Sequence, residues 1–155
     1  MFSVGQAGFI IKSASGKLFG IDMYLSDCVE RVEGHVGYKR MLPKILEADE
    51  LVFDCIVATH FHRDHFDVDS MKALMDNADE QIRCNYLTLG WTPTEGEVNL
   101  RKSLGENEAE LRKRAAAILP MGRMCERTDY LDALVYLMSD GSSMMTGSTF
   151  RITAG

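Results

Sequence analysis

Four side chains able to bind metal or move protons fall within the stretch Thr59-His60-Phe61-His62-Arg63-Asp64-His65, namely His60, His62, Asp64 and His65. Two histidines at i and i+2 beyond a strand end project to one side, and imidazole together with carboxylate suits Zn²⁺ or Mn²⁺. Two imidazoles with Asp64 or His65 would leave coordination positions open for water, the arrangement that a hydrolytic metal needs. Asp64 is the candidate catalytic carboxylate of the set. Asp22, far upstream, either orients the histidine loop from behind or caps a strand end. The remaining histidine, His35, lies in Glu33-Gly34-His35-Val36-Gly37-Tyr38, and no histidine follows His65.

Such a cluster needs a rigid element behind it. Leu51-Val52-Phe53-Asp54-Cys55-Ile56-Val57-Ala58-Thr59 is β-branched and almost continuously apolar, the pattern of a strand covered on both faces. Asp67-Val68-Asp69-Ser70 is a capped start for a helix over residues 71–77. Upstream, Gly8-Phe9-Ile10-Ile11 and Lys17-Leu18-Phe19-Gly20-Ile21 flank Ser13-Ala14-Ser15-Gly16, which predicts a β-hairpin. Residues 24–38 lack a clean period and predict an irregular loop with one helical turn, and Pro43 opens a short segment, 44–48. Downstream, residues 82–89 predict a strand and 90–94 (Gly-Trp-Thr-Pro-Thr) a loop. Residues 106–118 predict a helix with Glu108/Arg112 and Glu110/Arg114 at i,i+4. Thr128 and Asp129 offer an N-cap for an amphipathic helix carrying Tyr130, Leu131, Leu134, Val135 and Leu137, and residues 148–153 a last strand. The order predicts an α/β fold, a mixed sheet with an N-terminal β-hairpin and a parallel βαβ core in which strands 51–59 and 82–89 are joined through helix 71–77. The chain reads as a single domain, 1–155.

The composition sets limits on partners. With 46% hydrophobic and 26% charged residues in 155, the chain can bury a core without disulfides or structural metal. A net charge of -6 and the absence of any run of four or more basic residues argue against nucleic acid. No apolar stretch is long enough for a membrane span, and residues 1–9 do not form a secretory signal, so a cytoplasmic location is expected. Cys28, Cys55, Cys84 and Cys125 form no CxxC pair and are expected to be reduced and buried.

The HxHxDH pattern of residues 60–65 resembles that of the metallo-β-lactamase superfamily. Val4-Gly5-Gln6-Ala7-Gly8-Phe9, Ile21-Asp22-Met23-Tyr24-Leu25-Ser26-Asp27 and His65-Phe66-Asp67 look like its L-ascorbate-6-phosphate lactonase-like branch. The similarity covers residues 1–79. It implies that His60 and His62 serve a first metal and Asp64 and His65 a second, with a small lactone or ester as substrate. The further histidines and bridging aspartate of complete members are missing from this sequence.

Residues 80–155 resemble another family. Ile82-Arg83-Cys84-Asn85-Tyr86-Leu87-Thr88-Leu89-Gly90-Trp91-Thr92-Pro93-Thr94, Leu119-Pro120-Met121-Gly122-Arg123 and residues 129–147 are similar to the C-terminal part of short-chain dehydrogenases/reductases. That resemblance implies that Gly90 and Thr94 correspond to positions touching a nicotinamide, and that the last helix and strand meet symmetry mates in a homo-oligomer. No GxxxGxG is present, and no tyrosine is followed four residues on by lysine. The expectation is therefore a hybrid of two family fragments joined near Asp79-Glu80-Gln81. It would bind one divalent metal, Zn²⁺ or Mn²⁺, at His60, His62, Asp64 and His65 with little or no hydrolysis, and would not bind NAD(P). The alternative is a non-catalytic scaffold or oligomerising fragment of a short-chain dehydrogenase/reductase.

Overall fold

The computed structural model describes residues 1–5, 7–34, 40, 42–77 and 82–155, so His35 and the join at 79–81 lie outside the described residues. One six-stranded sheet runs in sequence order. Strands β1 (Phe2–Ser3), β2 (Phe9–Lys12) and β3 (Leu18–Ile21) are antiparallel neighbours. The predicted hairpin turn closes through Ser13, whose backbone N–H bonds Lys17 O at 2.9 Å and whose hydroxyl accepts from Lys17 N at 3.0 Å. Gly8 permits the close approach of β2 to the end of β3: at φ +103°, a Cβ there would lie 2.8 Å from Asp22 O.

From β3 onward the sheet is parallel. β4 (Cys55–Ala58) pairs with β3 and with β5 (Arg83–Leu89), and β5 pairs with β6 (Thr149–Ile152). All four residues of β4 are buried, as its unbroken apolar sequence requires. Ile56 faces one layer with Leu25, Phe53, Met71 and Leu74, while Cys55 and Val57 face the other with Phe19, Leu87, Ala133 and Leu137. The first layer is built on α2 (Val68–Asp76), which makes the β4–β5 crossover, and the second on α5 (Leu131–Leu137). The sheet is thus covered on both faces, and the predicted α/β class with hairpin and parallel βαβ core is the one observed.

The loop after β3 leads into α1 (Cys28–Glu33) and is tied to the start of α2 by Asp67. This fully buried N-cap carboxylate accepts from Ser26 N and Oγ, both at 2.9 Å, from Asp69 N and Ser70 N, and from the Ser70 hydroxyl. Between β5 and β6 stand α3 (Glu95–Ser103) and α4 (Glu108–Ile118), followed by α5. The four cysteines are free; Cys28, Cys55 and Cys125 are buried and Cys84 is half-buried. No helix among the described residues is long and apolar enough to cross a membrane.

Candidate functional site

Because β3, β4, β5 and β6 are parallel, the residues just past them share one edge of the sheet: Asp22, Thr59, Gly90 and Thr153. In open α/β sheets, the edge at the carboxyl ends of the strands is where ligands bind. Both chemistry-bearing segments of the sequence lie along it.

The histidine loop is organised around Asp22. Its backbone is left-handed, φ 52°, a conformation that Asp tolerates better than most residues. Its carboxylate accepts from Thr59 N at 2.7 Å, from Thr59 Oγ1 at 2.6 Å and from His65 Nδ1 at 2.9 Å. Thr59 Oγ1 donates to Asp22, so it accepts from His60 Nδ1, 3.2 Å away. The His60 and His65 rings lie 3.9 Å apart between centroids, and His62 sits edge-on to His60 at 4.8 Å. Burial holds His60 below the ordinary histidine pKa, and the neighbouring His65 lowers it further. Burial opposes the charge on His65 as well, but the hydrogen bond to Asp22 and the charges of Asp22 and Asp64 outweigh it and raise its pKa. Asp64 is buried, with one carboxylate oxygen 3.5 Å from His65 Nε2. Among the described residues, its other oxygen, Oδ1, has no hydrogen-bond partner.

This arrangement lends the metal expectation proximity and no further support. His60, His62, Asp64 and His65 are indeed close together, and Asp22 does orient their loop. Yet among the described residues no group of three or more His, Cys, Asp or Glu side chains is placed to hold a metal ion. His65 gives Nδ1 to Asp22 and sets Nε2 3.5 Å from Asp64, and the His60 and His65 rings are tilted by 42° to each other.

The second segment, residues 90–94, leaves the end of β5 three residues beyond the level of β4. Gly90 is required by contact: a Cβ there would lie 2.6 Å from Thr153 Cα and 2.8 Å from Cys125 Sγ. Gly90 N donates to Ile152 O at 2.8 Å, and Trp91 O accepts from Cys125 N at 2.9 Å. Gly90 O lies 3.0 Å from Thr92 Oγ1 and 3.3 Å from the Tyr130 hydroxyl, and the two hydroxyls are 2.5 Å apart. Thr94 caps α3 by accepting from Glu97 N. The sequence reading missed Thr92 and Tyr130 as parts of this site, because Tyr130 carries an ordinary amphipathic-helix signal and its partner is 40 residues away.

A family model described as enoyl-(acyl carrier protein) reductase matches residues 70–155, more than half of the chain. The chain belongs to that family. The match begins inside α2, so the short-chain-reductase likeness starts upstream of the join expected near Asp79, and no comparison supports a metallo-β-lactamase segment over residues 1–79. No curated protein matches the sequence. Among solved structures, a short chain dehydrogenase family protein from Francisella tularensis subsp. tularensis SCHU S4 is 18% identical with a TM-score of 0.52, over 68% of this chain and 72% of that one. The NAD⁺-bound xylitol dehydrogenase is 20% identical with a TM-score of 0.50, over 66% of this chain and 49% of that one. An actinorhodin polyketide ketoreductase with NADPH is 21% identical with a TM-score of 0.49, over 65% of this chain and 45% of that one. The enoyl-reductase family chain thus spans about half the length of the xylitol dehydrogenase and the ketoreductase. These likenesses are likenesses of fold. The expectation that the chain takes no NAD(P) is corrected by the family match, together with the NAD⁺ held by the xylitol dehydrogenase on a fold of this kind.

Proposed function

We propose that this chain binds a nicotinamide dinucleotide, NAD(H) or NADP(H), and that its own share of the site is the nicotinamide end, formed by residues 90–94 at the carboxyl end of β5. The observation that carries this reading is the family match over residues 70–155, which contains that loop and the elements that hold it. The loop fits the role physically. Its first two residues are held by β6, Cys125 and Tyr130, so its backbone is preorganised at the sheet edge where ligands bind. Gly90 and Thr94 are the positions placed against the nicotinamide ring. A bound dinucleotide supplies hydride transfer. The residues of this chain bind and orient: no tyrosine here has a lysine four residues on, so the chain serves as a binding module without a proton-donating pair of that kind. NADH fluorescence titration should show saturable binding that Gly90→Val abolishes, since the valine would displace β6 or Cys125. Unsaturable wild-type titrations with both NADH and NADPH would remove the proposal.

A second copy of the chain is the partner proposed for α5. Leu131 and Val135, one turn apart, are 53% and 63% exposed although Ala133 and Leu137 of the same helix are buried in the core. Pairing of two such stripes would cover them. Light scattering at tens of micromolar should report a dimer or tetramer that Val135→Glu dissociates; a monomeric wild type would dismiss this partner.

A further inference from the structure

Beneath residues 90–94 lies a small polar network in otherwise apolar surroundings. Tyr130 is 9% exposed and enters from the turn before α5; Cys125 is 2% exposed and enters from the segment after α4. The turn that aims Tyr130 is itself fixed, because Asp129 is gripped by both Arg123 nitrogens at 2.6 and 2.8 Å and also accepts from Glu126 N at 2.7 Å. Two hydroxyl protons serve three contacts: either Thr92 Oγ1 donates to Gly90 O at 3.0 Å and Tyr130 to Thr92 at 2.5 Å, or Tyr130 donates to Gly90 O at 3.3 Å and Thr92 to Tyr130. Two hydroxyls and one carbonyl therefore close a ring on the first residue of the loop.

Resting on the proposed cofactor reading, we infer that Tyr130, acting together with Thr92, is a positioning residue that sets the orientation of the Gly90 carbonyl and hence of the nicotinamide-side loop. A hydrophobic side chain of the same shape would fill the same space, so packing alone does not call for the hydroxyl. The hydroxyl instead determines which way the Gly90–Trp91 peptide faces. Trp91 follows that peptide, and as the single tryptophan of the chain it reports on the loop directly.

The test compares Tyr130→Phe, Thr92→Val and Thr92→Ser with the wild type by NADH titration, and by acrylamide quenching of Trp91 without cofactor. Tyr130→Phe and Thr92→Val should each weaken NADH binding roughly fivefold, the worth of one ordinary hydrogen bond, and both should raise Trp91 quenching. Thr92→Ser, which keeps the hydroxyl, should restore wild-type values; a role in packing alone would predict loss with serine and none with phenylalanine. Wild-type binding with both variants unchanged overturns the inference. If the wild type binds no NADH, the cofactor reading fails by itself, and the quenching decides the clamp: increased quenching in Tyr130→Phe upholds it, unchanged quenching refutes it. Should Tyr130→Phe not fold, the Thr92→Val and Thr92→Ser pair decides in the same way.

Discussion

Trp91 sits where the loop after β5 meets the helices that follow it, packed against Leu111, Ala115 and Met124 and bordered by ionic groups. Its indole N–H donates to Glu97 at 2.8 Å, Arg101 reaches the same carboxylate oxygen at 2.8 Å, and the guanidinium carbons of Arg114 and Arg101 lie 4.8 and 5.6 Å from the ring centroid. The Trp91 hydrogen bond is the largest influence on Glu97, and with Arg101 it outweighs burial and lowers the pKa. A folded-state pKa below the unfolded value, about 4.3 for glutamate, gives stabilisation that is present above that value and lost as pH falls through the folded one. Trp91 emission should therefore show an inflection below pH ~4.3. Glu97→Gln, whose amide oxygen still accepts the indole N–H but does not titrate, should flatten it. The same inflection in both proteins would assign it to another group.

At the scale of elements, the N-cap of α2 has the clearest energetic role. Asp67 closes a helix end and also holds the loop from β3 to α1 through Ser26, so its removal leaves buried donors without an acceptor on two elements. Asp67→Ala should cost roughly 2–4 kcal/mol, a cap plus unsatisfied buried groups, read as a fall in the urea midpoint; a change below ~0.5 kcal/mol would mean that the bonds do not persist. This cap was legible in the sequence, as were β4 and its parallel partner, since alternation, continuous apolar runs and capping residues are local signals. The helix α3 was not. Its interior, Gly96, Asn99, Arg101 and Lys102 among charged neighbours, has no apolar stripe and buries no residue, and only Thr94 followed by Glu97 marked its start. The histidine cluster was legible as a cluster, but spacing along the chain fixes which side chains are near, not where a ring nitrogen points. That was set by Asp22, which is 43 residues from His65.

At the scale of the whole chain, the two segments that look different in sequence share each structural layer. β4 lies between β3 on one side and β5 on the other, so its backbone pairing draws on both segments. One core cluster joins Ile10, Leu25, Ile56 and Leu74 to Ile82, and the other joins Phe19, Cys55 and Val57 to Leu87, Ala133 and Leu137. The exposed Lys17–Asp140 ion pair at 2.5 Å links the hairpin to the turn after α5, and at its exposure it adds little. Either segment alone would lose a covering layer, and below ~70–80 residues a single core rarely supplies enough stability. We therefore expect one cooperative unfolding unit. In urea, Trp91 emission, which reports the second segment, and far-UV circular dichroism, which reports all helices and strands, should give superimposable transitions. Leu137→Ala, which empties a fully buried position against β4, should shift both by the same amount, about 2–5 kcal/mol. Separate midpoints, or limited proteolysis within residues 78–82 releasing two pieces that stay folded, would show instead that the segments are independent units meeting along the β4–β5 seam.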